Sequence, residues 1–185
     1  MNFEEQPDKP LGGLYLGTVE DREDPEGLRR VKVNIPGLLE PTTWALPLGT
    51  VGGGSKERGA YFAPQVGAEV AVMFIQGDPD RPVFWNAHWG KPGGETEVTE
   101  PAQDLEVDVI ETKRWRIVMD NRDESANLLL LDKTSGDFIE FDGVSRGIQL
   151  VASSAINIQA TGLIRLDGLN ITLNGRTVLP GSNPI

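Results

Sequence analysis

A short apolar repeat near the C-terminal end of the chain restricts its fold more than any other feature. Two apolar residues flanking one polar residue recur at positions 148, 156, 164 and 171, so successive pairs begin 8, 8 and 7 residues apart. Serine, threonine, glycine or asparagine separates the pairs, as expected for turns. This period is shorter than a hairpin and indicates strands that stack and turn repeatedly, as in a β-helix. The repeated residues are Ile148, Leu150, Ile156, Ile158, Ile164, Leu166, Ile171 and Leu173.

A single chain cannot bury this repeat. One narrow β-meander has a single apolar stripe and unpaired strand edges, so alone it would be marginally stable and prone to aggregate. Three chains wound together would bury the stripe along a common axis and pair the edges. The repeat therefore predicts an obligate oligomer and favours a homotrimer whose core contains the eight apolar residues named above.

The upstream chain also has the pattern of short strands. Less regular strand-like runs cover residues 114–120, 127–132 and 137–141. No segment longer than ten residues has a helical apolar period. The chain is therefore predicted to be close to all-β.

Five further strand-like runs precede these, at residues 14–20, 28–35, 43–48, 69–75 and 82–89. In the second run, Val31, Val33 and Ile35 alternate with polar residues, as in a strand with one buried face. Residues 70–75 are continuously apolar, which is typical of a strand covered on both faces. Five short strands in about 75 residues favour a small barrel of the OB type.

These patterns divide the chain into four segments. A polar N-terminal arm covers residues 1–12 and an OB-fold barrel covers 13–90. Residues 91–104 form an acidic linker rich in proline and glycine, with no apolar period. Residues 105–185 form the predicted trimeric β-helix spike.

Composition excludes several classes of protein. The formal net charge of −11 argues against a general nucleic-acid binder, because phosphate neutralisation needs surplus cations. The absence of cysteine excludes disulfides, Cys-based zinc sites and a cysteine nucleophile. No run approaches the ~20 apolar residues that span a bilayer. The first ten residues are polar and acidic, unlike a signal peptide.

Several strings of the sequence resemble one family, the central spikes of contractile injection systems. This family includes baseplate assembly protein V, the cell-puncturing spikes of contractile phage tails, and the VgrG proteins of type VI secretion. The most specific strings are PQVGAEV at residues 64–70 and FIQGDPDRPV at 74–83. RVKVNIP at residues 30–36 is similar to the family's barrel, and INIQATG at 156–162 resembles its β-helix repeats.

The resemblance implies a non-enzymatic homotrimer without a cofactor. Its OB domains would attach to the baseplate hub protein, and its β-helix would puncture the target cell, meeting the outer membrane transiently. The protein would be made in the host cytoplasm and reside in a virion tail baseplate or an equivalent extracellular contractile particle. Some relatives carry a lysozyme domain, for which residues 91–104 leave no room.

The predicted tip departs from the pattern of some phage spikes. Those spikes end in a His-X-His motif that binds iron, whereas residues 177–185 contain no histidine. The tip is therefore expected to be metal-free, or to be sharpened by a PAAR-type cap protein at the C-terminus.

Some residues suggest other chemistry at first sight. His88 could bind a metal or act in a catalytic triad. A metal site, however, would need the His88 side chains of three chains on one axis, so we interpret His88 as structural or solvent-facing. Residues 49–56 resemble a phosphate loop, but Ser55 precedes Lys56, which is the wrong order, so a flexible loop is expected.

Two alternative functions remain open. One is a β-helical carbohydrate-active enzyme with an OB accessory module, in which Asp120, Asp123 and Glu124 could supply the carboxylate pair of a glycoside hydrolase. The sequence around these three residues, however, is typical of an acidic turn. Tryptophans could stack on bases in an OB nucleic-acid module, but residues 1–104 carry 9 basic and 17 acidic side chains. We expect core or interface packing for Trp44, Trp85, Trp89 and Trp115.

Overall fold

A computed structural model describes residues 10–49, 51, 54–86 and 89–178. The chain divides into two compact units, Met1–Val98 and Thr99–Ile185. Among the described residues, every strand pair but one is antiparallel. The helices in these residues are short 3₁₀ turns at Ile75–Gly77, Pro92–Gly94 and Glu100–Gln103. The prediction of an all-β chain is confirmed.

The first unit contains a five-stranded barrel. Its strands are β1 (Tyr15–Asp21), β2 (Lys32–Asn34), β3 (Leu46–Pro47), β4 (Glu69–Phe74) and β5 (Pro82–Asn86), in the order β2-β1-β4-β5-β3. Strands β3 and β5 are parallel. The edges meet at an antiparallel bridge, where the amide of Ala45 donates to the carbonyl of Val31 at 2.8 Å. This bridge closes the barrel, as predicted for the OB type.

Strand β2 is shorter than the predicted run, and side chains rather than neighbouring strands bond to some of the backbone amides in and beside it. The backbone amide of Val33 donates to the hydroxyl of the buried Thr42 at 3.0 Å. The backbone amide of Arg30 donates to a carboxylate oxygen of Asp24 at 3.2 Å. Buried backbone groups need such partners wherever a ladder is interrupted.

The barrel core is made of small and medium apolar side chains. The alternating residues Val31, Val33 and Ile35 are all buried, as the sequence predicted. Gly17 on β1 is required by close packing, because a Cβ atom there would lie 2.6 Å from the carbonyl oxygen of Asn34. The remaining core residues are Val19, Ala45, Val70, Val72, Phe74 and Phe84.

The boundary between the two units falls between Val98 and Thr99, inside the predicted linker of residues 91–104. The 3₁₀ turn Glu100–Gln103 contacts the first strand of the second unit. A hydrogen bond of 3.0 Å from Arg116 Nη2 to Thr99 Oγ1 also ties the start of this unit to its sheet.

The second unit begins with a five-stranded antiparallel meander. Its strands, neighbouring one another in chain order, are β6 (Val107–Glu111), β7 (Trp115–Asp120), β8 (Asn127–Asp132), β9 (Phe138–Asp142) and β10 (Gly147–Val151). Three of them correspond to the predicted runs at 114–120, 127–132 and 137–141, and β10 carries the first apolar pair of the repeat.

Residues 152–171 form no strand in the single chain. They lead into a short hairpin of β11 (Thr172–Leu173) and β12 (Arg176–Thr177). Its turn is Asn174-Gly175, both at positive φ, as a two-residue hairpin turn requires. The β-helix and the trimer therefore stay predictions, since the repeat pairs at 156 and 164 have no partner strand within one chain.

Candidate functional site

The meander of the second unit has one face that is almost entirely apolar. Residues directly opposite one another in an antiparallel ladder point to the same face. One row across all five strands is therefore Ile110, Ile117, Leu130, Ile139 and Leu150, and the next contains Met119, Leu128, Phe141 and Ile148. On β6, the position in the second row is occupied by Asp108, opposite Met119. Trp115 lies next to the first row on the same face, directly opposite Asp132. We call the nine residues of the two rows and Trp115 the apolar face.

This apolar face is open to water in the single chain. Ile148 is 63% exposed and Phe141 is 45% exposed, although both belong to paired strands. Single exposed apolar residues are ordinary, whereas a contiguous patch marks an interaction surface. The face therefore has the character of an interaction surface.

The opposite face of the same sheet is mixed, and its charged residues neutralise one another. The apolar residues on it are Val107, Val109, Val118, Leu129, Leu131, Phe138 and Val151. Glu111 accepts hydrogen bonds from Arg116 Nη2 at 2.8 Å and from Lys133 Nζ at 2.6 Å. Desolvation by itself would raise the pKa of Glu111, but the bonds from Lys133 and Arg116 lower that pKa to about 2. Asn127 also donates to Glu140 on this face at 3.1 Å. Most charged residues of the sheet therefore lie on this mixed face, together with the most buried apolar side chains of the sheet, Val107 and Val118.

The tail after β10 continues the exposed apolar surface. The backbone amide of Ser153 donates to Asp137 at 2.7 Å, and beyond it no backbone hydrogen bond involves residues 154–170 among those that the structure describes. Ile158 is 70% exposed and Leu166 is 66% exposed. A groove of about 280 Å³ on the sheet is bordered by Trp115, Leu130, Ile139, Leu150 and Ile156.

The predicted trimer-core residues thus fall into two groups. Ile148 and Leu150 lie on the apolar face, beside residues that the sequence did not assign to the core. The other six lie in the tail or at the start of the last hairpin, where Ile156, Ile158, Ile164, Leu166 and Leu173 are exposed and Ile171 is half-buried. Their packing around an axis stays a prediction.

The carboxylates considered for glycoside hydrolysis form a turn after β7. Asp120 accepts from Arg122 Nη2 at 2.5 Å and from Ser125 Oγ at 2.9 Å, and the Arg122 guanidinium holds the pKa of Asp120 well below its usual range. A general acid needs a raised pKa, so Asp120 is not suited to that role. Asp123 and Glu124 are exposed.

Comparison with known proteins identifies the first unit. Residues 15–89, which span the closed barrel, match the family model of the type VI secretion system/phage-baseplate injector OB domain. We call this barrel the injector OB domain, after the family model that it matches. A search of curated proteins found no match for the chain. The match confirms the resemblance over the barrel and supports a structural role in a baseplate or injector.

The injector OB domain contains the remaining sequence candidates. His88 lies outside the described residues, as do Thr50, Gly52 and Gly53 of the glycine-rich loop. The described part of that loop is exposed and is followed by turns rather than by a helix. No cluster of three or more His, Asp or Glu side chains that could hold a metal occurs among the described residues of either unit.

The tryptophans are not core residues within one chain. Trp44 and Trp85 of the OB domain are half-buried, and Trp89 is 72% exposed. Trp115 of the second unit is also exposed, with the Arg114 guanidinium 5.1 Å from its ring centroid. Trp89 and Trp115 are thus not packed in a core by the described residues of one chain, and their burial in an interface stays a prediction.

No helix in the described parts of the chain has the length and apolar character to span a membrane.

Proposed function

We propose that the chain is a non-enzymatic structural protein that forms the homotrimeric spike at the centre of a contractile tail baseplate or an equivalent extracellular particle. The observation that carries this proposal is the apolar face of the second unit, which continues along the chain into the exposed repeat of residues 156–173. The injector OB domain independently supports the same assignment.

The energetics favour association over an isolated chain. Fully burying one Leu, Ile or Phe side chain contributes about 1.5–3 kcal/mol. Association costs an estimated ~4–15 kcal/mol in lost freedom of motion. The apolar face offers ten large apolar side chains per chain that are about half exposed, so burying all of this surface on association gives a gain of the same order as the cost.

In the proposed spike, three apolar faces meet on the axis, and the mixed face with Glu111, Arg116 and Lys133 lies away from it. Residues 152–171 of each chain gain strand partners from the other two chains and continue the core as a β-helix. The injector OB domain attaches to the baseplate hub, and the β-helix punctures the outer membrane of the target cell, with a PAAR-type cap completing the tip. The spike supplies stiffness, and contraction of the tail supplies the work.

The molecular mass in solution tests this proposal. Sedimentation equilibrium of the full chain should give three times 20.1 kDa, or about 60 kDa, at micromolar concentration. A mass of 20.1 kDa would contradict the spike and favour the carbohydrate-active or nucleic-acid alternatives, both of which need only a monomer. The hub interaction is tested separately, by co-purification of the chain with a baseplate hub protein.

A further inference from the structure

The outside of the injector OB domain carries an apolar surface of its own. On β4 and β5, Val70, Val72 and Phe84 belong to the barrel core. Successive residues of a strand point to opposite faces, so the residues next to these three point out of the barrel. Residues directly opposite one another share a face and form two outward rows across β1, β4, β5 and β3. The first row is Leu16, Ala71 and Trp85, and the second is Met73, Val83 and Leu46. We call these six residues the outer face.

The two sides of the outer face are open to water in the single chain. Leu16 is 47% exposed and Leu46 is 43% exposed. Ala71 and Val83, each between two larger side chains of its row, are nearly buried, and Trp85 is half-buried. The six side chains therefore form one continuous surface with exposed edges.

The apolar run at residues 70–75 predicted a strand covered on both faces. In the structure, the barrel core covers one face of β4 through Val70, Val72 and Phe74. Every strand that the structure describes in this unit belongs to the barrel, so no second sheet covers the other face. The outer face therefore has the composition of a covered surface without a second sheet over it.

The chemistry of the outer face fits a lasting contact between copies of one chain. None of its six side chains is charged, and polar residues begin in the next row, with Thr18 opposite Glu69. Permanent interfaces between identical chains resemble a core cut in half, whereas transient contacts between different proteins are about as polar as the rest of the surface. Charged groups, which select one partner among different proteins, are missing from the outer face.

Copies of the domain are held close together in the proposed spike. The chain passes from the first unit to the second between Val98 and Thr99, so joining three second units also joins three OB domains. Linked domains meet at an effective concentration in the millimolar range, at which even a weak apolar contact forms. Apolar side chains also continue along the chain toward this junction, since Trp85 is followed by Trp89, which is 72% exposed.

We propose that the outer faces of neighbouring copies pack against one another, so that the OB domains form a second contact within the trimer. The proposal rests on the proposed spike, because it needs three copies on one axis. It leaves attachment to the hub to the rest of the surface of the domain.

Thiol reactivity in the full chain tests this contact. The sequence contains no cysteine, so one introduced thiol reports on one position. Leu16→Cys and Leu46→Cys place the thiol at the two sides of the outer face, and Glu20→Cys is the control at an exposed position of β1 outside it. Each variant is compared with a form that also carries Ile148→Glu, which charges the apolar face of the second unit and is expected to keep the chain monomeric. The rate of reaction with a maleimide is measured for each form, and sedimentation gives its mass.

We expect the two outer-face thiols to react about tenfold more slowly in the trimer than in the monomer, which corresponds to about 1.4 kcal/mol for the contact. The Glu20→Cys thiol should react at the same rate in both forms. Within the trimer, the outer-face thiols should also react about tenfold more slowly than the Glu20→Cys thiol, so the comparison does not depend on Ile148→Glu alone.

Equal rates in the trimer and the monomer for Leu16→Cys and Leu46→Cys would contradict the contact. Slow reaction in the monomer would also contradict it, because the chain would then cover the outer face by itself. Thiols that react fast in the free trimer and slowly only after a baseplate hub protein is added would assign the outer face to the hub instead. A wild-type mass of 20.1 kDa would reject the spike and this contact together, whereas fast-reacting thiols in a trimer of about 60 kDa would reject the contact alone.

Discussion

Ile148 on β10 lies directly opposite Phe141 on β9, and both side chains remain open to water on the apolar face. The next residue, Gln149, lies opposite Glu140 on the other, mixed face. Two consecutive residues of one strand therefore lie on opposite faces of the sheet, and this alternation allows a direct test of the interface.

Ile148→Glu should prevent trimer assembly, whereas Gln149→Glu should leave it intact. Ile148 is exposed in the single chain, so replacing it costs the folded monomer little. In the trimer, the new carboxylate would be buried without a partner, at several kcal/mol per ion. Analytical ultracentrifugation of the two variants provides the measurement. Equal masses for both would show that the apolar face is not the contact between chains.

Ile164→Asp tests whether the repeat itself forms the axis. Three carboxylates around one dry axis cannot all ionise, so assembly should fail at a cost of several kcal/mol. Arg165 pairs with Asp167 at 2.5 Å while both side chains stay largely exposed, so Arg165→Asp should change stability by no more than about 0.5 kcal/mol. Native mass spectrometry of both variants measures whether trimers form. Normal trimers of Ile164→Asp would place the repeat away from the axis.

Acid should weaken the second unit partly through Glu111. Its pKa is about 2 in the folded chain, below the ordinary value of 4.5. A lowered carboxyl pKa stabilises the fold above the ordinary value, and this stabilisation is lost as the pH falls from about 4.5 to 2. Glu111→Gln should therefore be less stable than the wild type by about 1 kcal/mol at neutral pH, with the difference disappearing near pH 2.

Urea unfolding at a series of pH values measures this effect. Glu140→Gln is the control, because it makes the same chemical change on the same face at a carboxylate that accepts from the Asn127 amide. If the Glu111→Gln difference persisted undiminished at pH 2, the ion pairs with Arg116 and Lys133 would not be its cause.

Gly17→Ala should destabilise the barrel by about 2 kcal/mol, since overpacking of a closed core costs about 1–3 kcal/mol. The added Cβ would lie 2.6 Å from both the carbonyl oxygen of Asn34 and a methyl group of Val33. Gly12→Ala is a matched control, because nothing lies within 4 Å of a Cβ there. Thermal unfolding compares the two, and identical midpoints would mean that β1 and β2 separate without cost.

Much of the barrel could be predicted from local pattern. The period of two in Val31, Val33 and Ile35 predicted a buried face, and all three side chains are buried. Turn residues placed the ends of the strands to within a few positions. The support of Arg30 by Asp24 could not be predicted, because it joins residues across a loop whose sequence indicates only a turn.

The apolar face shows most clearly which features the sequence determines and which it does not. Leucine occupies all of positions 128–131, so the sequence alone determined that this segment is an apolar strand but not which side chains share a face. The pairing of Leu130 with Ile117 and of Leu129 with Val118 decided that question. Register depends on hydrogen bonds between strands and on the lengths of their turns, and a slip by one residue would exchange the two faces. Local composition therefore determined where the strands are, and only the tertiary structure decided which of their side chains form the surface open to a partner.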